Sequence, residues 1–538
     1  MATPTFPSSG SDACTRLGLV PRPVSAQLAP GEELVLPRRL PVAGPGEWVD
    51  VLRSLLTPGT GLHVDPAPET GALVRLAADP SLPGEAYVLS VEQRGVRLAA
   101  GDAAGLRHGI QTLRQLMPAW ASGPAPLPGA RVTLPHVRVR DSPALAWRGM
   151  HLDVARHFQP LPDVYRFVDL LAMHKLNVLH LHLTDDQGWR FEVMAYPRLT
   201  GVGAVRAETR LPGWAAGDGT PHGGFYTQDQ LRALVGYGQA RGVTIVPEID
   251  LPGHVRALLA AYPEYGEPDA GPVTAATTPG IFTEVLHLGD ATVAMVEAVL
   301  EEVLDVFPSE LVHVGGDECP REQWRASPAS AALATERGLD DVDGLQGWFT
   351  AHLSDWLAAR GRRLVGWDEI VAGPDLPSVS PEGPVVMSWR GHDRARAALA
   401  GGYDVVECSP PLYFDMYQAT DQDEPLAIGG LATWEDVLAV DPYAGVPDGD
   451  RARLVGVQGQ LWTEYLPTPR HVEYMAFPRT AALAELAWHG PGTAAGEFAE
   501  RLGRHLARLD ALGVGYRPLD GPRAWQRGGT GAFARGRS

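Results

Sequence analysis

Residues 313–320 read H-V-G-G-D-E-C-P. A short apolar run, Leu311 to Val314, meets two glycines and then two adjacent carboxylates, Asp317 and Glu318. Glycines let a strand end in a sharp turn and let the backbone come close to a ligand. Neighbouring carboxylates repel, so burial is expected to keep one proton on the pair. A held proton beside a negative charge is the equipment of general acid catalysis. A D-E pair alone is ordinarily a solvated loop; the two glycines and the residues described next argue otherwise.

Successive side chains on a strand point to opposite faces. Asp317 and Glu318 are therefore not expected to form the facing acid and nucleophile of an ordinary retaining glycosidase, about 5–5.5 Å apart. One acid, Glu318, and one orienting helper, Asp317, is the expected division. Trp367, Trp389, Trp434 and Trp462 all follow the acids, and indole rings suit the apolar C–H face of a pyranose. Arg156, Asp415 and Glu464 can bind hydroxyls, the arginine through a fixed fork of donors. Arg156 can equally be spent on an ion pair with Asp153 or Asp185. His254, in D-L-P-G-H, could tune a carboxylate or simply start a helix, and Asp185 and Asp250 could hold Asp317 or His254 in place. His180 and His182 alternate with leucine and share a strand face. A metal there is conceivable, but no clear ligand set accompanies them. No cofactor or metal is expected.

These residues need a scaffold that brings them to one place. From Trp147 strand-like runs alternate with helix-like runs. The expected strands are 148–154, 177–183, 244–249, 311–314, 363–367, 385–389, 404–408 and 454–461; the expected helices include 163–174, 227–241, 291–306, 344–360 and 472–488. That alternation predicts an α/β chain with a (β/α)8 TIM-type barrel. Catalytic groups of such barrels sit at strand C-termini, and there fall Arg156 with His157, Asp185 with Asp186, Asp250 with His254, Asp317 with Glu318, Trp367, Trp389, Tyr413 with Asp415, and Trp462 with Glu464. Ahead of the barrel, a hairpin over 86–99, a helix over 103–117 and a strand over 131–139 give a small α+β domain. The expected organisation is a loose Pro-rich arm over 1–30, the α+β domain over 31–142, the barrel over 143–515 and a disordered Gly- and Arg-rich tail over 516–538.

The chain has 538 residues, too many for one ordinary core. Its formal net charge of -19 argues against nucleic acid or anionic membrane as partners. Three cysteines, Cys14, Cys319 and Cys408, make no disulfide framework, and no C-x-x-C cluster suggests zinc. The first residues carry neither a basic nor an apolar segment of the secretory kind, and no run of about 18 apolar residues occurs. A cytoplasmic location is the expectation, and the Ala, Arg and Gly usage is that of a GC-rich bacterial genome.

Taken together, the motifs resemble those of family 20 glycoside hydrolases, the β-N-acetylhexosaminidases. The matching pieces are R-G-M-H-L-D-V-A-R-H-F (148–158), K-L-N-V-L-H-L-H-L-T-D-D-Q-G-W-R (175–190), G-F-Y-T-Q-D-Q (224–230), P-E-I-D-L-P-G-H (247–254), H-V-G-G-D-E (313–318), V-G-W-D-E (365–369), Y-F-D (413–415), Q-L-W-T-E (460–464) and F-P-R (477–479). The resemblance implies a substrate-assisted retaining mechanism, in which the substrate's acetamido oxygen replaces an enzyme nucleophile. It implies Glu318 as acid and then base, Asp317 as acceptor of the acetamido N–H, and Tyr413 as donor to the acetamido oxygen. Trp367, Trp389 and Trp462 would wall the sugar, Arg156, Asp415 and Glu464 would read its hydroxyls, and Trp434 would carry the aglycone. Asp185, Asp250 and His254 would support the acid pair. The implied partners are amino-sugar glycans. Rival readings are a two-carboxylate β-glycosidase, a catalytically silent sugar-binding protein and a metal-dependent deacetylase.

Overall fold

A computed structural model describes residues 11–371, 383–420 and 423–527. The N-terminal domain is built on a seven-stranded mixed sheet. Along Tyr87–Glu92 every second side chain, Tyr87, Leu89 and Val91, is buried, the period-two pattern of a sheet covered on one face. This strand and Gly95–Ala100 form the expected hairpin, Glu92 opposite Gly95. Helices Gly46–Thr60 and Ala103–Leu116 pack together and on the sheet. The second begins at Asp102, whose side chain accepts from the Gly105 N–H.

Both chain ends correct the expectation. The arm expected over 1–30 is placed from residue 11: Ser11–Leu17 is a helix, and Ser25–Leu28 pairs with Val137–Asp141 as a sheet strand. The sheet edge supplies backbone partners, and Leu19 and Val20 are buried. The tail expected to be disordered from 516 is placed to residue 527, where Gln526 Nε2 donates to the Tyr516 carbonyl at 2.9 Å. Residues 1–10 and 528–538 lie outside the described residues.

Eight parallel strands close the barrel: β1 (Trp147–Asp153), β2 (Val178–His182), β3 (Thr244–Glu248), β4 (Leu311–His313), β5 (Arg363–Trp367), β6 (Val385–Ser388), β7 (Asp404–Glu407) and β8 (Leu454–Gly459). All of β1 is buried, as parallel strands covered on both faces require. Helices α1 (Leu161–Met173), α2 (Gln228–Arg241), α3 (Asp290–Val306) and α4 (Leu345–Ala358) follow the first four strands, and α5 (His392–Ala400) follows β6. Among the described residues β5 is followed only by a 3-10 turn, Asp368–Val371, and β7 only by the short helix α6 (Trp434–Leu438) and a 3-10 turn, Arg451–Arg453. The single helix expected over 472–488 is two, α7 (Pro469–Ala476) and α8 (Arg479–His489), because Pro478 has no N–H to continue the ladder.

Asp141 ties the two domains together at full burial. It accepts from Lys175 Nζ at 2.7 Å, Tyr87 O–H at 2.7 Å and the Trp488 indole at 2.9 Å. Among the described residues no helix is long and apolar enough to cross a membrane.

Candidate active site

The C-terminal ends of the strands surround a cavity of about 580 Å³. Arg156, His254, Asp317, Glu318, Trp367, Trp389, Tyr413, Asp415, Trp462 and Glu464 all line it. They come from seven separate stretches of the chain, and the barrel topology alone brings them to one end.

The acid pair reaches the cavity through a strained turn. β4 stops at His313, and Gly315 and Gly316 take φ of 69° and 99°. A Cβ on Gly315 would stand 1.7 Å from Asp250 Oδ1, so only glycine fits. Glu318 itself has φ 47° and His254 φ 50°, a conformation that costs a non-glycine residue about 1–3 kcal/mol and collects at functional sites. The opposite facing expected of Asp317 and Glu318 therefore does not hold. The strand has ended before the pair, and the left-handed turn aims both side chains into one cavity.

His254 stands behind both acids. Its Nε2 lies 3.4 Å from Glu318 Oε2 and 3.8 Å from Asp317 Oδ2. Its Nδ1 lies 2.9 Å from Asp186 Oδ2 and 3.5 Å from Asp185 Oδ1. Burial alone would keep the ring neutral, but Asp185, Asp186 and Glu318 outweigh it and hold its pKa well above the usual value. Asp185 is the hub of this side: its Oδ2 takes Arg156 at 2.6 Å and His182 Nε2 at 3.0 Å. Burial would raise its carboxyl, and Arg156 and His254 bring it well below the carboxylate range.

Burial pushes the Asp317 carboxyl up against the pull of His254. It pushes Asp250 well up, with Asp317 adding to it. Of this buried pair Asp250 is the one pushed further up. Asp250 also accepts from the Gly316 N–H, which fixes the turn. Asp317 is buried, whereas the Glu318 side chain beside it is 31% exposed. Burial, then Glu464, pushes Asp415 to about 8.

The aromatic walls are braced from behind. The Trp367 indole donates to Glu248 Oε1 at 3.0 Å, and its ring lies 5.7 Å from that of Trp462. Trp389 is held by its backbone N–H to Asp368 at 3.0 Å and by its indole to Glu369 at 2.9 Å. The Tyr413 hydroxyl donates to the Trp389 carbonyl at 3.1 Å, with the two rings stacked. Arg156 lies over the Trp462 ring at 4.9 Å and is paired with both Asp153 and Asp185, the ion pairs foreseen for it, while still lining the cavity.

Trp434 is the exception among the candidates. It opens α6, packs on Phe498 and does not line the cavity. Its place after Y-F-D in sequence does not carry it to the cavity lining: Thr433 caps a helix there, and the half-buried ring packs on Phe498. Residues not foreseen at the rim include Pro212, Ile281, Met416, Ile428 and Tyr465. They sit on loops, where neither periodicity nor spacing marks direction. Glu248 and Glu369 also escape a reading by residue type as supports, although each lies in a quoted motif, and Asp186, placed at a strand end, is given no role by residue type alone. Groups such as His180, Glu248 and His313 lie close enough to surround an ion, but Glu248 is here engaged by Trp367 and His182.

Among the described residues, buried side-chain atoms without a protein partner include Asp317 Oδ1, Asp415 Oδ1 and Glu464 Oε2. Three unsatisfied buried oxygens on one cavity are what a ligand rich in N–H and O–H groups satisfies.

The model of the glycosyl hydrolase family 20 catalytic domain matches residues 145–491, and that of domain 2 of the same family matches residues 16–142. A beta-hexosaminidase of Porphyromonas gingivalis is 39% identical over 482 residues, which is 86% of this chain and 58% of that protein. The chain therefore spans less than two thirds of that relative. A beta-N-acetylhexosaminidase of Cellulomonas fimi is 34% identical over 92% of this chain and 95% of its own length. The crystal structure of a GH20 exo beta-N-acetylglucosaminidase from Vibrio harveyi superposes with a TM-score of 0.80 at 30% identity, covering 96% of this chain and 81% of that one. A shared barrel, a shared preceding domain and family models that run through both lead to one conclusion: the chain belongs to glycosyl hydrolase family 20.

Proposed function

We propose that the chain is a retaining exo-β-N-acetylhexosaminidase that releases terminal N-acetylglucosamine, and N-acetylgalactosamine, by substrate-assisted catalysis. The observation that carries this reading is the single cavity holding the Asp317–Glu318 pair, three tryptophans and three buried oxygens that await donors. Asp317 Oδ1 accepts the acetamido N–H and turns the acetamido oxygen toward the anomeric carbon. Tyr413 exchanges the Trp389 carbonyl for that oxygen. As the oxygen attacks, the bond to the leaving group breaks and Glu318 gives it a proton. The resulting oxazolinium is balanced by the Asp317 carboxylate, a charge interaction that grows toward the transition state. Glu318 then takes a proton from water, which opens the ring with overall retention. Trp367, Trp389 and Trp462 wall in the sugar and its acetamido group, and Arg156, Asp415 and Glu464 bind hydroxyls. The names of the relatives support the amino-sugar substrate class.

A panel of aryl β-glycosides with and without the 2-acetamido group tests this. Turnover confined to the N-acetylated members is expected, without added cofactor. Equal rates on plain β-glucosides would refute it.

A further inference from the structure

One layer of the barrel interior is ionisable where apolar packing is ordinary. Asp153 of β1, His182 of β2, Glu248 of β3 and His313 of β4 stand side by side in register, all fully buried. Barrels of this kind usually fill such layers with branched apolar side chains, and buried charge is costly unless it is paired. The layer lies against the cavity wall: Trp367 donates to Glu248, and the Trp462 ring is 5.0 Å from that of His182.

His182 does not line the cavity, yet its partners Glu248 and Asp185 hold groups that do. Its Nδ1 is 2.5 Å from Glu248 Oε2 and its Nε2 is 3.0 Å from Asp185 Oδ2. A ring with a carboxylate on each nitrogen carries a proton on both. Asp185 in turn takes Arg156 at 2.6 Å and lies 3.5 Å from His254. We propose that His182 is a positioning residue, a buried imidazolium that keeps Asp185 ionised and in place, and through it fixes Arg156 and His254 on the cavity wall. Burial works against the charge on His182; Glu248, Asp185 and Asp153 outweigh it. The other ring facing it, His151 at 5.6 Å, is kept neutral by burial.

The kinetic part of this inference rests on the proposed function; the protonation of His182 does not. His182→Asn leaves Glu248 buried without its cation. Melting temperature should fall, and kcat/KM on an aryl N-acetyl-β-glucosaminide should fall about 10–100-fold, the usual range for an orienting partner behind a site. In His182→Asn/Glu248→Gln both charges are gone and stability should return. If His182 positions the site, activity stays low, with KM raised through Arg156 and kcat lowered through His254. Recovery of activity along with stability would show that His182 only balances Glu248, and would overturn the proposal. Nitrogen-15 histidine spectra of the wild-type protein at about pH 8, where a free imidazole is neutral, should show both His182 nitrogens protonated. A bare nitrogen there overturns the proposal whatever the kinetics. A wild type inactive on the aryl substrate would instead sink the functional reading and leave the spectra to decide on His182.

Discussion

Replacing Asp415 by asparagine probes the cavity's electrostatics with one nearly isosteric change. The residue is 3% exposed, and burial, then Glu464, moves its pKa from 3.8 to about 8. At pH 7 the folded chain keeps a proton on this carboxyl that the unfolded chain has released. Each unit of that gap is about 1.36 kcal/mol, so from 3.8 to pH 7 the cost to folding is roughly 4 kcal/mol at most, and about half of that once Glu464 shares the burden. The sign follows from a raised pKa: the stability contribution is whole below pH about 3.8 and is lost as pH rises to about 8. Asparagine never ionises. Asp415→Asn should therefore match wild type near pH 4 and exceed it by about 2–4 kcal/mol near pH 7, read from urea unfolding at four pH values. Activity gives a second reading. Near pH 6 Asp415 is a neutral carboxyl that can donate and accept, and so can asparagine, so kcat/KM should stay within about fivefold. Asp415→Ala can do neither and should lose about 5–100-fold, the worth of one or two hydrogen bonds to sugar hydroxyls. A stability difference independent of pH would refute burial as the cause. Equal losses in the two variants would refute the neutral carboxyl.

Glu318→Gln should slow substrates with basic leaving groups by about 10²–10⁴-fold and activated aryl glycosides far less; a uniform small loss would remove Glu318 as the acid. Asp317→Asn should weaken binding of a cyclic thiazoline analogue of the intermediate by about 10²–10³-fold while hardly changing that of N-acetylglucosamine, measured by inhibition constants. Unchanged thiazoline affinity would make Asp317 a structural carboxylate. Trp434→Ala should leave kcat/KM within about twofold and lower stability by about 2 kcal/mol, since the ring packs on Phe498 rather than on substrate; a large rise in KM for oligosaccharides would restore it to the aglycone side.

Much of the site is legible in residue order alone. Alternating apolar runs of parallel-strand and amphipathic-helix length imply a barrel, and a barrel gathers polar residues at strand ends. That logic unites Arg156, Asp317, Glu318, Trp367, Trp389, Tyr413, Asp415, Trp462 and Glu464, because periodicity and chain order are local properties of the sequence. Trp434 shows the limit: its position after a site motif says nothing of where its helix turns it.

Direction, pairing and protonation belong to the tertiary structure. The side chains of Asp317 and Glu318 share a cavity because a strand three residues long gives way to positive φ, and the 1.7 Å approach of Asp250 that demands Gly315 comes from a neighbouring strand end. Nothing local distinguishes Asp185, whose carboxyl Arg156 and His254 hold down, from Asp250, whose carboxyl burial and Asp317 push well up. Residue types at strand ends decide which chemistry is possible. The low dielectric of the closed barrel and the partners that other strands bring to each carboxyl decide which of them carries the charge.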